Sequence, residues 1–173
     1  MSRSLNLRVA VTGSSWMGGN VGSVDTALRE LLSGARRELQ IATYELRIDA
    51  KHLLDILEDR LEAGVAVTMV VNRLANKPFS VREYLQALVA SHPYFRLYTF
   101  EPPTEDEDLH AKLIVADRDR MIIGSANLSW RGLVENHEIA VRIEGQEVAS
   151  VASAVDKLLG SAHIRQIRAA RDI

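Results

Sequence analysis

Residues 65–71, Val-Ala-Val-Thr-Met-Val-Val, carry no charge and show no alternation of apolar with polar side chains. A strand with one face in water is polar at every second position. This one is built to be buried on both faces, as a strand is inside a sheet covered by helices on either side. The flanking segments supply the cover. Val24, Ala27, Leu28, Leu31, Leu32 and Ala35 recur at helical spacing over residues 24–37. Leu53, Leu54, Leu57 and Leu61 do the same over residues 50–63, where Gly64 fits the C-terminal stop. Ser80 and Glu83 have capping-box spacing at the head of a third helix with Val81, Tyr84, Leu85, Leu88 and Val89. Residues 146–159 form a closing helix with Val148, Val151, Val155 and Leu158 inward. Short strands are expected at residues 7–12, 39–44, 96–100, 109–116, 121–124 and 138–143, with a polar turn at 117–120. Strands alternating with helices give an α/β fold: a mixed, mostly parallel sheet with helices on both faces. Residues 1–173 are expected to form a single domain without internal repeats. The tail from Ser161, with Arg165, Arg168 and Arg171, reads as a solvated helix end, or as cations tracking a nucleic-acid backbone.

Composition narrows the chemistry. A formal net charge of −2 excludes a generally basic nucleic-acid binder, so any polyanion site is a local patch. The absence of cysteine excludes disulfides and thiolate metal sites. No stretch approaches the roughly 20 apolar residues that cross a bilayer, and no processing signal opens the chain, so a cytoplasmic location and no membrane contact are expected.

The segment that carries chemistry is residues 109–127, LHAKLIVADRDRMIIGSAN. Alternation along a strand turns Leu109, Ala111, Leu113 and Val115 into the core and leaves His110 and Lys112 together on the other face with Ile114. An imidazole beside an ammonium suits reaction at phosphorus, because the cation screens the anion and stabilises the oxygens as charge develops on them. Ser125 and Asn127 lie past the next strand and reach the same pocket if that strand returns beside the first. Glu138, at the start of a later strand, has the chemistry to orient the second nitrogen of His110.

The spacing His110-x-Lys112, four residues, Asp117, six residues, Gly124-Ser125-Ala126-Asn127 resembles the HKD motif of the phospholipase D superfamily. Asn136-His137-Glu138 is similar to its downstream Asn-x-Glu element. Tyr44 in Ala-Thr-Tyr-Glu-Leu, the Ala63-Gly64-Val65 step and the order of elements from about residue 8 to 159 resemble the small bacterial nucleases of that superfamily. The resemblance implies a phospholipase D-like fold and a metal-independent phosphodiesterase with no cofactor. His110 would be nucleophile or acid, forming a phosphohistidine intermediate. Lys112 and Asn127 would hold phosphate oxygens, Ser125 would support the pocket, and Glu138 would orient His110. Asp117 completes the motif and reads better as a structural partner near the turn. Only one motif is present, so the two-histidine reaction implies a homodimer with a shared active site. The expected substrate is nucleic acid, DNA rather than RNA. Stand-alone proteins of this type also resemble components of bacterial phage-defence systems, which implies protein partners in a defence complex. Two alternatives follow from the same family: a nucleic-acid-binding accessory subunit with little activity alone, and a phospholipase or phosphatidyl-transfer enzyme.

Several residues carry two readings. Asp117 is equally a turn residue, and Ser125 and Asn127 suit turn caps as well as a site. The loop 13–22 lacks the Gly-Lys-Ser/Thr of a P-loop and reads as a lid or dimer-contact loop, in which Trp16 stacks on a base or packs at an interface. Arg73, Lys77 and Arg82 are candidates to line the cleft. Five carboxylates in residues 101–108 oppose the approach of a polyanion and read as a loop bent away, a gate or a partner-binding element.

Overall fold

The computed structural model describes residues 5–168. Its elements run β1 (Asn6–Thr12), β2 (Gly22–Ser23), α1 (Val24–Ser33), β3 (Glu38–Thr43), α2 (Lys51–Glu62), β4 (Ala66–Asn72), α3 (Phe79–Ser91), β5 (Phe95–Phe100), β6 (Lys112–Ala116), β7 (Arg120–Gly124), β8 (Glu138–Glu144), α4 (Val148–Leu159) and β9 (Ile164–Ile167). All nine strands join one sheet in the order β2-β1-β8-β7-β6-β3-β4-β5-β9. The α/β class and the mixed sheet agree with the sequence reading. A mostly parallel sheet does not. Pairing is parallel in β3–β4, β4–β5 and β1–β2 and antiparallel in the other five ladders. The reason is connection length. The helical crossovers through α2 and α3 return the chain to the same end of the sheet, whereas β6 reaches β7 through a tight turn and must reverse. Hydropathy reports burial and is blind to strand direction.

Helices cover both faces, unequally. Val24, Leu28, Leu31 and Leu32 of α1, Leu53, Leu54, Leu57 and Leu61 of α2, and Val81, Leu85 and Leu88 of α3 bury against Leu39, Ile41, Val67, Met69, Val71 and Leu97 on one face. Each such side chain contributes about 1.5–3 kcal/mol on removal from water. On the other face Val148, Ala152 and Val155 of α4 meet Leu113, Val115 and Met121. Both faces of β6 are therefore core. His110 and Lys112 share the parity of Ile114 and Ala116. They do not face solvent along a half-buried strand, but emerge where the helix-covered face runs out.

Three local expectations are corrected. The third helix starts at Phe79 after Pro78, with no side-chain cap, because the Pro78 carbonyl accepts from Val81 N and Arg82 N (3.0 and 3.2 Å); Ser80 lies inside the first turn. The first helix stops at Ser33, not near residue 37. The tail is a strand: Ile164–Ile167 closes the sheet against β5, with Ile167 buried and Arg165 paired to Glu101 at 2.6 Å. Arg171 lies outside the described residues.

Candidate active site

The C-terminal ends of β3 and β4 and the chain entering β6 meet at one end of the central strands of the sheet. Tyr44 follows β3, and its N–H donates to the Ala111 carbonyl (2.9 Å), extending the β3–β6 pairing by one rung. His110 sits one residue before that rung, exposed, with its ring centroid 4.6 Å from that of Tyr44. The Lys112 ammonium donates to the His110 carbonyl at 3.0 Å and lies 3.4 and 3.5 Å from the two ring nitrogens. It is also 5.1 Å from the Tyr44 ring centroid, within cation–π range. Behind it is a cavity of about 20 Å³ lined mainly by Val24, Leu28, Ile41, Ile114 and Leu128. Burial lowers the affinity of the Lys112 amine for its proton, and the charge of Glu138 opposes that shift. A phosphate set against the imidazole would have this cation within reach of its oxygens.

The opposite wall comes from β7 and β8. A Cβ on Gly124 would lie 2.4 Å from the Ile139 carbonyl oxygen and 2.6 Å from Ala140 Cα, so only glycine lets these strands approach as they do. Ser125 N then donates to Ile139 O (2.9 Å), while Ser125 Oγ donates to a Glu138 carboxylate oxygen. The second Glu138 oxygen accepts from Asn136 Nδ2 at 3.1 Å. Both oxygens of Glu138 are thus held by Ser125 and Asn136. Within the chain the contact expected between Glu138 and His110 is not made. The Asn127 carbonyl accepts from Ser129 N (2.9 Å), and Gly132 in the π-turn Arg131–Glu135 packs so close to the Asn127 backbone that a Cβ there would stand 2.4 Å from that carbonyl oxygen. Asn127 Oδ1 is buried without a hydrogen-bond partner among the described residues, a state that costs free energy.

Asp117 is elsewhere. It follows β6 at the opposite end of the strand, about 17 Å from Lys112 at roughly 3.3 Å per residue. Its buried carboxylate accepts from the backbone N–H groups of Arg36, Arg37 and Glu38 and from the Arg120 guanidinium. Burial alone would raise its pKa; these donors more than offset that and hold it below the usual carboxylate range. Asp117 therefore ties the α1–β3 connection to the β6–β7 turn and has no part in the pocket.

The other candidates divide. Lys77 is buried and donates to the Tyr44 carbonyl (2.7 Å) and to Glu45 (2.9 Å), so it braces Tyr44 from behind and does not line the cleft. Arg82 lies over the Phe79 ring on α3. Arg73 turns to the acidic loop, where it and Asn72 bind Asp108. The glycine-rich loop is clasped to the start of β8 by Ser15 Oγ and His137 Nε2 (2.7 Å), and Trp16 remains 43% exposed. Sequence reasoning missed Asn72 and its bond to Asp108, 36 residues further along the chain, and the close approach of Gly132 to Asn127. Among the described residues no group of three or more His, Asp or Glu side chains converges to hold a metal ion.

Residues 28–158 match the family model for the cardiolipin synthase, PLD-like domain. The DISARM protein DrmC of Bacillus paralicheniformis is 23% identical over 140 residues, covering 81% of this chain and 58% of the relative. The 5'-3' exonuclease PLD3 of Rattus norvegicus is 27% identical over 143 residues, covering 75% of this chain and 26% of the relative. The chain thus spans under two thirds of both relatives' lengths. Nuc, a phospholipase D family member from Salmonella typhimurium, superposes with a TM-score of 0.76 at 18% identity, over 96% of this chain and 100% of that one.

Proposed function

The chain belongs to the cardiolipin synthase, PLD-like domain family, and from that premise we propose that it is a metal-independent phosphodiesterase that cleaves nucleic acid, DNA rather than RNA. The observation that carries the reading is the His110–Lys112 pair, exposed at a strand end, with Ser125, Asn136 and Glu138 forming the facing wall. An exonuclease among the relatives supports a nucleic-acid substrate, and the likeness to a DISARM protein supports a defence setting with protein partners.

In this reading a ring nitrogen of His110 attacks phosphorus and the P–O bond to the leaving strand breaks. His110 of a second copy, protonated, gives its proton to the leaving oxygen. Water then attacks phosphorus, that second imidazole takes the water's proton, and the P–N bond breaks to free His110. Lys112 and Asn127 hold the non-bridging oxygens through both steps. Among the described residues the hydrogen-bond partner of the His110 ring nitrogens is Lys112, and in this reading the exposed imidazole meets substrate and a second subunit. Glu138, fixed by Ser125 and Asn136, would complete the site from its own wall. The protein would act as a single cytoplasmic domain in a homodimer; no helix among the described residues is long and apolar enough to cross a membrane.

The test incubates the protein with single-stranded DNA, duplex DNA, RNA and phosphatidylcholine in excess EDTA, beside His110→Ala. EDTA-resistant cleavage of DNA that is lost in the variant is expected. Strict metal dependence would overturn the mechanism, and lipid turnover the substrate class. Isolated mixed dimers of wild type and His110→Ala should lack the two-step reaction; full activity in them would reject the shared site.

A further inference from the structure

Residues 101–108, between β5 and β6, contain no strand or helix, and they deliver the chain directly to His110. A segment of that kind would leave an exposed imidazole loosely aimed. Instead it is fastened to the end of β4 by two consecutive residues. Asn72 Nδ2 donates to Asp108 Oδ1 at 2.9 Å, and Asn72 Oδ1 accepts from Leu109 N at 2.9 Å. Arg73 Nε donates to the same Asp108 oxygen at 2.7 Å. The terminal nitrogen Nη2 of Arg73 reaches the carbonyls of Glu105 (2.6 Å), Glu107 (3.0 Å) and Thr104 (3.4 Å).

Arg73 adopts a left-handed backbone, φ 45°, which a non-glycine residue enters at a cost. That turn lets its N–H bond to Phe100 O (3.0 Å) while its side chain crosses to the loop. Asn72 is buried. His110 is consequently bracketed. One residue before it, Leu109 N is pinned to Asn72, and one residue after it, Ala111 O is pinned to Tyr44 N. The Tyr44 ring limits the remaining freedom of the imidazole from the side.

We propose that Arg73, with Asn72 and Asp108, is a positioning residue that aims His110, and that this is what the acidic loop is held for. The proposal rests on the reading of His110 as the reacting group. The β6 ladders span only residues 112–116 and do not need the clamp. Loosening it therefore frees the imidazole without opening the sheet. Arginine is required because one planar group serves a carboxylate and three carbonyls at once; a lysine ammonium is a single point with no such fork.

Arg73→Ala, Arg73→Lys, Asp108→Asn and Asp108→Ala test this with bis(p-nitrophenyl) phosphate as substrate and with imidazole ¹H–¹⁵N NMR of His110 as a second readout. Misplacement of a reacting group by about 1 Å costs on the order of 10²-fold, so Arg73→Ala should lower kcat by about that factor while KM moves by less than about twofold. Arg73→Lys should not rescue it. Asp108→Asn, which keeps an acceptor for Arg73 Nε, should retain more kcat than Asp108→Ala. The His110 signals should change from one ordered set to averaged ones in Arg73→Ala, with the unfolding midpoint little altered. Wild-type kcat and unchanged imidazole signals in Arg73→Ala would overturn the proposal. So would equal losses in Asp108→Asn and Asp108→Ala with His110 still ordered. If the wild type hydrolyses no phosphodiester, the functional reading fails, while the imidazole signals still decide whether the clamp aims His110.

Discussion

Replacing Asp117 by alanine separates architecture from chemistry at a motif position. The carboxylate accepts from Arg36 N (3.1 Å), Arg37 N (2.7 Å) and Glu38 N (3.1 Å) and from the Arg120 guanidinium, and it is only 6% exposed. A hydrogen bond to a charged acceptor is worth about 1.5–3 kcal/mol, so the three amides alone represent about 4.5–9 kcal/mol in gross terms. Arg36 and Arg37 are exposed, and their amides regain water when the carboxylate is removed. The net loss is then about 3–5 kcal/mol, the range for breaking a buried charged pair. For a chain of this size that lowers the unfolding midpoint by about 6–20 °C. The carboxyl's folded pKa lies below its unfolded value. Its contribution is therefore present above about pH 3.9 and is lost as pH falls through the folded value. Thermal and urea unfolding of wild type and Asp117→Ala from neutral pH into acid should show a gap that closes at low pH. At a temperature where both proteins are folded, kcat per folded molecule should be unchanged. A large fall in kcat with wild-type stability would refute the structural assignment and return Asp117 to the site.

Neutralising the exposed part of the acidic loop, Glu105→Gln with Asp106→Asn and Glu107→Gln, should raise the cleavage rate on DNA at low salt, and the gain should fade near 1 M salt, where the Debye length is about 3 Å. An unchanged or lower rate at low salt removes the electrostatic barrier. Gly124→Ala should cost about 1–3 kcal/mol in urea unfolding, because the new Cβ meets the backbone of Ile139 and Ala140; wild-type stability would contradict that close approach. Burial of Lys112 brings forward the loss of its proton, so the rate should fall on the basic side before the ordinary lysine value of about 10.4 is reached. Lys112→Arg, permanently charged, should abolish that limb, and a limb that persists in it belongs to another group.

The sequence alone determined what depends on neighbours within a few residues. Apolar period separates strand from helix, and the uncharged run ending at Val71 demanded cover on both faces; in β4 the structure gives it fully on the face of Val67, Met69 and Val71 and only in part on the other, where Val70 is buried, Thr68 half-buried and Ala66 exposed. Alternation brought His110 and Lys112 to one side, because two residues along an extended chain is a fixed geometry. Tertiary structure alone decided the rest. That β8 returns antiparallel beside β1 and β6 beside β3, and that the tail adds a strand to β5, depend on which segments come together across long stretches of chain. Asp117 finds its backbone amide donors about 80 positions away, and Arg73 finds Asp108 at a separation of 35. A hydrogen bond between distant residues leaves no period and no spacing in the sequence. Its partners become neighbours only when the buried apolar surface has chosen the arrangement of the sheet, and polar groups trapped by that choice must then pair with whatever lies beside them.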